Sequence, residues 1–284
     1  MTQLLERRVQ PLDTTELARE WTASQREAIQ ELGGVGVAFV LAEADDGSVH
    51  EPSESFAKGV LASMRKPGIT VGVHQIRQDD TPERIAQLSR APAINGIVVA
   101  QPMPYEGPGR PDPLDALPPT HDIDGSLPES LYIKPTTQAV LRLAEHHGID
   151  WSGSVVVAGS EGRVGSDLVR ELTRHGLEPT TVDRALGHTE QDVRDAIHAA
   201  DVVVTAMGSP GLVTGEWLKK GADVIDVTVE RSPDGTAYWG DVHPEVFGTA
   251  RDVRITPVPG GVGRLTGLAL AQNAIIAASP YLQS

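Results

Sequence analysis

A chain of 284 residues with a net charge of −15 and no cluster of Lys or Arg has no basic face for nucleic acid or for an anionic membrane surface. The absence of cysteine excludes disulfides, thiolate metal sites and cysteine nucleophiles. No signal core or apolar run of about 18 residues is present, so we expect a cytoplasmic protein of one large or two ordinary domains.

In chain order, Thr14 or Thr15 caps a helix over 14–33 with Leu17, Trp21 and Ile29 on its apolar stripe. "VGVAFVLAE" (35–43) is a near-continuous apolar run, the pattern of a buried parallel strand. A helix over 53–66 and a strand "ITVGVHQI" (69–76) follow. "TPERIAQLSR" opens a helix with a Thr cap and Pro at the first helical position, and "INGIVVAQ" (94–101) is the next strand. This β-α-β-α-β order predicts a doubly wound sheet. The Pro-rich segment 101–120 leaves the carboxyl end of a strand, where α/β sheets hold ligands, and reads as an ordered loop. A helix over 136–150 precedes a second series of strands at 152–160, 179–183, 201–207, 222–227 and 253–258, and a helix over 265–279 ends the chain. The expected fold class is α/β with two domains and a boundary near 135–150.

The second series opens on strand, glycine turn and helix. Gly159, Gly162 and Gly165 form G-x-x-G-x-x-G, which sets bare backbone N–H groups and a helix N-terminus where a pyrophosphate can sit. A plain strand–helix connection is the competing reading. Asp183 ends the next strand, 24 residues after Gly159, where an acid accepts from a ribose 2′-OH as in NAD sites. Arg184 beside it suits a 2′-phosphate, which leaves NAD against NADP open, and a solvated Asp-Arg turn is the competing reading. "HDIDG" (121–125) holds Asp122 and Asp124 before a glycine, as an Asx-type turn or an acid site. "IKPTT" (133–137) caps the helix after it. The nine histidines show no metal-ligand spacing, so no metal is expected, and neither a G-x-S-x-G elbow nor a P-loop is present. "ITPVPGGVGRLTG" (255–267) packs two prolines and four glycines into a stiffened loop whose backbone can approach a ligand closely.

These motifs line up with one family. "NGIVVAQPMP" resembles D-G-I-L-V-Q-L-P-L-P, "HDIDG" resembles K-D-V-D-G, and "VVVAGSEGRVG" resembles V-V-V-G-R-S-x-x-V-G. "GSPGLVTGEWLKKGADVIDV" and "GDV" (240–242) are similar to the later cofactor-domain strands, and "ITPVPGGVGRLT" resembles I-T-P-V-P-G-G-V-G-P-M-T. Over roughly residues 15–280 the chain resembles the bifunctional methylenetetrahydrofolate dehydrogenase/methenyltetrahydrofolate cyclohydrolase family. The resemblance implies an N-terminal three-layer α/β catalytic domain binding folate, residues 1–138 with the C-terminal helix 268–284. It also implies a Rossmann-like NAD(P)-binding domain at 139–267, folate in the cleft between the two, and a homodimer. The implied reaction oxidises 5,10-methylenetetrahydrofolate by hydride transfer to NADP or NAD, and hydrolysis of the methenyl product gives 10-formyltetrahydrofolate.

Residue by residue, the resemblance implies that Asp124 holds the pterin N–H groups and that Gln101, followed by Pro102, positions the reacting centre. Pro259, Gly260, Gly261, Gly263 and Arg264 lie against substrate. Gly159, Ser160, Glu161, Val164, Gly165, Asp183, Arg184, Gly208, Val229 and Thr266 lie at the cofactor. The departures fall on the chemistry. The family's S-x-x-Y-x-x-x-K reads "SESFAKGV", with Phe56 in the Tyr place and Val60 in the Lys place. Lys58 sits two residues early, about 200° around a helix from Phe56, and serves as the catalytic lysine only if a local insertion brings it in. Arg-Ser at the cofactor turn becomes Ser160-Glu161, His121 replaces Lys, Lys134 enters "KPTT", and Arg264 and Leu265 replace Pro and Met. Hydride transfer needs mainly positioning and survives loss of the lysine, whereas hydrolysis needs proton handling. The expected enzyme is therefore an NAD(P)-dependent methylenetetrahydrofolate dehydrogenase with doubtful cyclohydrolase activity. The alternatives are a paralogue acting on another folate-like one-carbon adduct, or a non-catalytic folate or dinucleotide binder.

Overall fold

The computed structural model describes residues 9–43, 46–49, 51–101, 112–249 and 252–279, the side chains of 51–56 and 78 excepted. Its elements run β1 (Gln10–Pro11), α1 (Thr15–Glu31), β2 (Gly36–Glu43), α2 (Glu51–Arg65), β3 (Thr70–Arg77), α3 (Thr81–Leu88), β4 (Gly96–Val99) and α4 (Pro135–His146). They continue as β5 (Val155–Ala158), α5 (Arg163–Arg174), β6 (Thr180–Val182), α6 (Glu190–Ala199), β7 (Val202–Thr205) and β8 (Asp223–Asp226). The last are β9 (Glu230–Arg231), β10 (Tyr238–Trp239), β11 (Arg254–Ile255) and α7 (Val262–Ala278). The chain forms two compact units, one of residues 18–138 with 265–284 and one of residues 1–17 with 139–264.

The first unit is a three-stranded parallel sheet in the order β3-β2-β4. β2 is apolar on both faces, and its side chains alternate between two cores as a period of two requires. Val37, Phe39 and Leu41 join Val60, Met64, Leu270 and Ala274 in one cluster. Ala38, Val40 and Ala42 join Ile85, Leu88, Ile97 and Leu117 in the other. Helices therefore cover both faces, giving three layers, and each fully buried Leu, Ile or Phe contributes on the order of 1.5–3 kcal/mol. Helix α7 is apolar nearly all round, and Leu268, Ala269, Leu270 and Ala271 are all buried.

The second unit is a parallel six-stranded sheet in the order β6-β5-β7-β8-β11-β1. Val155–Ala158 and Val202–Thr205 are buried throughout, as the two apolar runs predict. The expected α/β architecture with a Rossmann-like half is present. One assignment differs. Residues 9–17, read from sequence as part of the folate domain, pack with the second unit: Gln10 N–H donates to Val253 O at 2.9 Å and Leu12 N–H to Ile255 O at 2.8 Å. β1 and the β9–β10 hairpin have only two residues per strand, too few for any periodic signal. No helix among the described residues is long and apolar enough to cross a membrane.

Candidate active site

In the second unit, β5 leads to β6 on one side and the chain then returns to β7 on the other. The connections diverge at the carboxyl ends of β5 and β7 and open a crevice, the place where doubly wound sheets bind ligands. A groove of about 280 Å³ lies there. Gly159 and Glu161 line it from the turn after β5, Asp183 and Arg184 from the end of β6, and Ala206 and Met207 from the end of β7. The first four are residues singled out from sequence. The last two were not, because short apolar residues after a strand carry no distinctive signal.

The turn is built on close approach. Gly159 has φ +85°, and a Cβ there would stand 2.3 Å from Ala206 O. A Cβ on Gly165 would stand 2.0 Å from Gly159 O, so the first turn of α5 rests on the loop itself. Gly162 is the N-cap of α5 and makes no side-chain cap bond. Ser160 is 2 % exposed and its hydroxyl has no hydrogen-bond partner. Crowded glycines and an orphaned buried hydroxyl beside a helix N-terminus fit a pyrophosphate cradle. Gly165 is buried and Val164 half-buried on α5.

The 206–209 loop is held from beneath by a carboxylate. Asp241 is fully buried and accepts from Met207 N at 2.8 Å, Ser209 N at 2.7 Å and Thr228 Oγ1 at 2.9 Å. The Thr228 hydroxyl in turn accepts from Gly208 N at 3.2 Å. Asp226 lies alongside and accepts from the N–H groups of Thr228, Asp241 and Val242. Burial, and then the charge of Asp241, push the Asp226 carboxyl up to about 7 from an ordinary value of 3.8. The folded protein thus holds a proton that the unfolded chain has lost between those pH values. Stability contributed by this group falls as pH rises from about 4 to about 7, by up to about 1.4 kcal/mol per pH unit, and levels off above. Unfolding midpoints measured from pH 4.5 to 8 should show a steeper decline for the wild type than for Asp226→Asn, and parallel curves would place the dependence elsewhere.

In the first unit, "HDIDG" runs beside β4: Ile97 N–H donates to His121 O at 2.7 Å. Its two carboxylates have separate jobs. Asp122 is fully buried and accepts from Ser126 N at 3.0 Å and Leu127 N at 2.9 Å, so it builds the turn. Burial pushes its carboxyl up, against the pull of those bonds. Asp124 is half-buried and accepts from the Ser126 hydroxyl at 3.2 Å. Asn273 on α7, a residue the sequence did not single out, donates from Nδ2 to Ile123 O at 2.8 Å and Ile133 O at 2.9 Å. It ties together the segments that carry Asp124 and Lys134. The stem of Lys134 covers Gly125, with Cγ 3.0 Å from where a Cβ would stand. His121 is half-buried, and burial lowers its tendency to hold a proton.

Gln101 is half-buried, two residues past β4. Helix α2 is uninterrupted, so Lys58 and Val60 stand about 200° apart. Lys58 is exposed, while Val60 is buried in the core against α7. The side chain of Phe56 and the whole of Pro102 lie outside the described residues. Thr266 is half-buried on α7.

The Gly-Pro loop of the second unit is fastened to the segment before α1. Thr14 Oγ1 donates to Gly260 O at 2.7 Å, and the Arg264 guanidinium donates to Thr15 Oγ1 at 2.7 Å. The same guanidinium lies 3.4 Å from where a Cβ on Gly260 would stand. It also helps the Thr15 hydrogen bonds hold Asp13 below its ordinary carboxylate value. Arg264 is thus engaged as a latch. Pro259 and Gly263 are exposed, Gly260 half-buried and Gly261 buried. Val229 is exposed, its Cγ2 4.0 Å from where a Cβ on Gly263 would stand, and Gly208 is exposed.

A family model described as the NAD(P)-binding domain of tetrahydrofolate dehydrogenase/cyclohydrolase matches residues 134–281, over half the chain. Among solved structures, the N5,N10-methylenetetrahydrofolate dehydrogenase-cyclohydrolase of Trypanosoma brucei, complexed with NADP and an inhibitor, is 26% identical with a TM-score of 0.84. That alignment covers 98% of this chain and 99% of that one. The bifunctional methylenetetrahydrofolate dehydrogenase/cyclohydrolase of Campylobacter jejuni is 25% identical with a TM-score of 0.80, covering 95% and 98%. The NAD-dependent 5,10-methylenetetrahydrofolate dehydrogenase of Saccharomyces cerevisiae shares the fold at 14% identity and a TM-score of 0.68, covering 95% and 97%.

Proposed function

We propose that this chain, which belongs to the tetrahydrofolate dehydrogenase/cyclohydrolase family, oxidises 5,10-methylenetetrahydrofolate to the methenyl form with a nicotinamide dinucleotide, and that its cyclohydrolase step is weak. The observation that carries the reading is the groove at the β5/β7 switch point, with Gly159 and Gly165 pressed against neighbouring backbone.

The dinucleotide supplies a hydride acceptor at its nicotinamide ring. The glycine turn at Gly159 and the N-terminus of α5 would seat its pyrophosphate end, and Asp183 would hold its adenosine ribose. Asp124 accepts hydrogen bonds from the pterin and orients it, on a turn kept rigid by Asp122 and Asn273. Gln101 positions the one-carbon bridge. Hydride departure leaves a methenyl cation and moves no proton, so orientation is the main demand on the protein. Hydrolysis is different, because an attacking water must lose a proton. The position on α2 packed in the core with α7 is Val60, which cannot accept one, and Lys58 lies about 200° around the helix from it. The same reading makes the protein a cytoplasmic homodimer. The cysteine-free composition is in keeping with that compartment. The eight-residue edge strand β3, with Val73 exposed, is in keeping with a second copy covering it.

Incubation with 5,10-methylenetetrahydrofolate and either NAD+ or NADP+ should raise the reduced-nicotinamide and methenyl absorbances together, with methenyl accumulating. Absence of a reduced-nicotinamide signal with both dinucleotides would sink the dehydrogenase reading. Rapid decay of methenyl to 10-formyltetrahydrofolate would overturn the weak cyclohydrolase.

A further inference from the structure

We infer that the groove selects NAD over NADP, with Asp183 as the residue that decides it and Glu161 reinforcing it. The inference rests on the dinucleotide reading above and deepens it.

Asp183 stands at the carboxyl end of β6 and lines the groove. Its carboxylate is fixed from two sides: Oδ2 accepts from Glu161 N at 2.9 Å and Oδ1 from Ala185 N at 2.8 Å. A carboxylate has about four acceptor directions, so each oxygen retains one for a ribose hydroxyl. The bond from Glu161 N also locks this carboxylate to the glycine turn, which fixes its distance from any pyrophosphate seated there. A ribose 2′-OH donates to such a group. A 2′-phosphate offers only acceptors and carries a charge of about −1.5 to −2.

The rest of the lining acts in the same direction. Glu161 and Glu190 also line the groove, so three carboxylates face one guanidinium, Arg184. Arg163, at the first position of α5, is exposed and is not part of the lining. At the turn itself Ser160 is buried and carries no charge to neutralise a second phosphate. Arg184 is the one cationic side chain among the described residues of the lining, and Asp183 adjoins it in the chain.

Isothermal titration of the full chain with NAD+ and with NADP+ reads the preference without any turnover. NAD+ should bind at least about 10-fold more tightly, the smallest effect expected for one hydrogen bond to a charged group. ADP-ribose should beat its 2′-phosphate by a similar ratio, which tests the ribose end alone and uses only the wild type. Asp183→Asn should narrow the NAD+/NADP+ ratio by about 10-fold, and Glu161→Gln should raise NADP+ affinity more than NAD+ affinity. NADP+ binding as tightly as NAD+, or an unchanged ratio in a folded Asp183→Asn protein, would overturn the selectivity and leave the dinucleotide site standing. Binding of neither dinucleotide would overturn the reading on which the selectivity rests.

Discussion

Asp124→Ala is expected to lower methylenetetrahydrofolate turnover by about 10²–10⁴-fold while dinucleotide binding and melting temperature stay close to wild type. The magnitude follows from losing two hydrogen bonds to a charged acceptor, each worth about 1.5–3 kcal/mol. The selectivity of the effect follows from the turn around it. Asp122 holds that turn through Ser126 N and Leu127 N, Asn273 holds the carbonyls of Ile123 and Ile133, and Tyr132 donates its hydroxyl to Thr120 O. Truncating Asp124 leaves all of these in place and removes its bond from the Ser126 hydroxyl. Asp122→Ala should do the opposite, lowering the melting temperature together with the activity, because it strips a fully buried acceptor from two backbone donors. Steady-state rates at saturating dinucleotide, paired with thermal melts, separate the two. Turnover near wild type in Asp124→Ala would remove Asp124 from the substrate site.

Gly165→Ala should destabilise the second unit by about 3 kcal/mol or more and abolish dinucleotide binding. The added Cβ would lie 2.0 Å from Gly159 O, 2.8 Å from Gly159 C and 3.0 Å from Ser160 Cα. All three are backbone atoms, so no rotamer relieves the contact, and overpacking of this kind costs about 1–3 kcal/mol or more. The displaced atoms are the turn that would seat the pyrophosphate, so binding fails with the packing. Gly59→Ala is the matched control. Gly59 lies within α2 with open space around its Cβ position, and alanine there should stabilise by roughly 0.5–1 kcal/mol. Differential scanning calorimetry with and without NAD+ reads both effects. A Gly165→Ala protein that still melts and binds like the wild type would refute the close-packing account of the turn.

Much of the fold is written locally. β2, β5 and β7 are short apolar runs, and their buried parallel strands follow from composition alone. The groove is legible for the same reason: Gly159, Glu161, Asp183 and Arg184 stand at strand ends, and strand ends are set by the same runs that form the strands. The residues that support the site were not legible. Asp241 and Thr228 reach Met207, Gly208 and Ser209 across 20 to 34 residues of chain, and Asn273 reaches Ile123 across 150. A single Asp, Thr or Asn in a sequence says nothing about which distant amide it meets.

The amino-acid sequence by itself determined the α/β class, the strand–turn–helix at Gly159–Gly165 and the apolar character of position 60, because each depends on neighbours within a few residues. Only the tertiary structure decided that Asp122 builds the turn while Asp124 remains half-buried beside it. It alone showed that Arg264 is latched to Thr15, 249 residues away, and that Glu161 N fixes the Asp183 carboxylate. The physical reason is common to all three. A polar side chain takes its role from the donors and acceptors that folding brings within about 3 Å, and burial then decides whether that partnership is structural or open to a ligand.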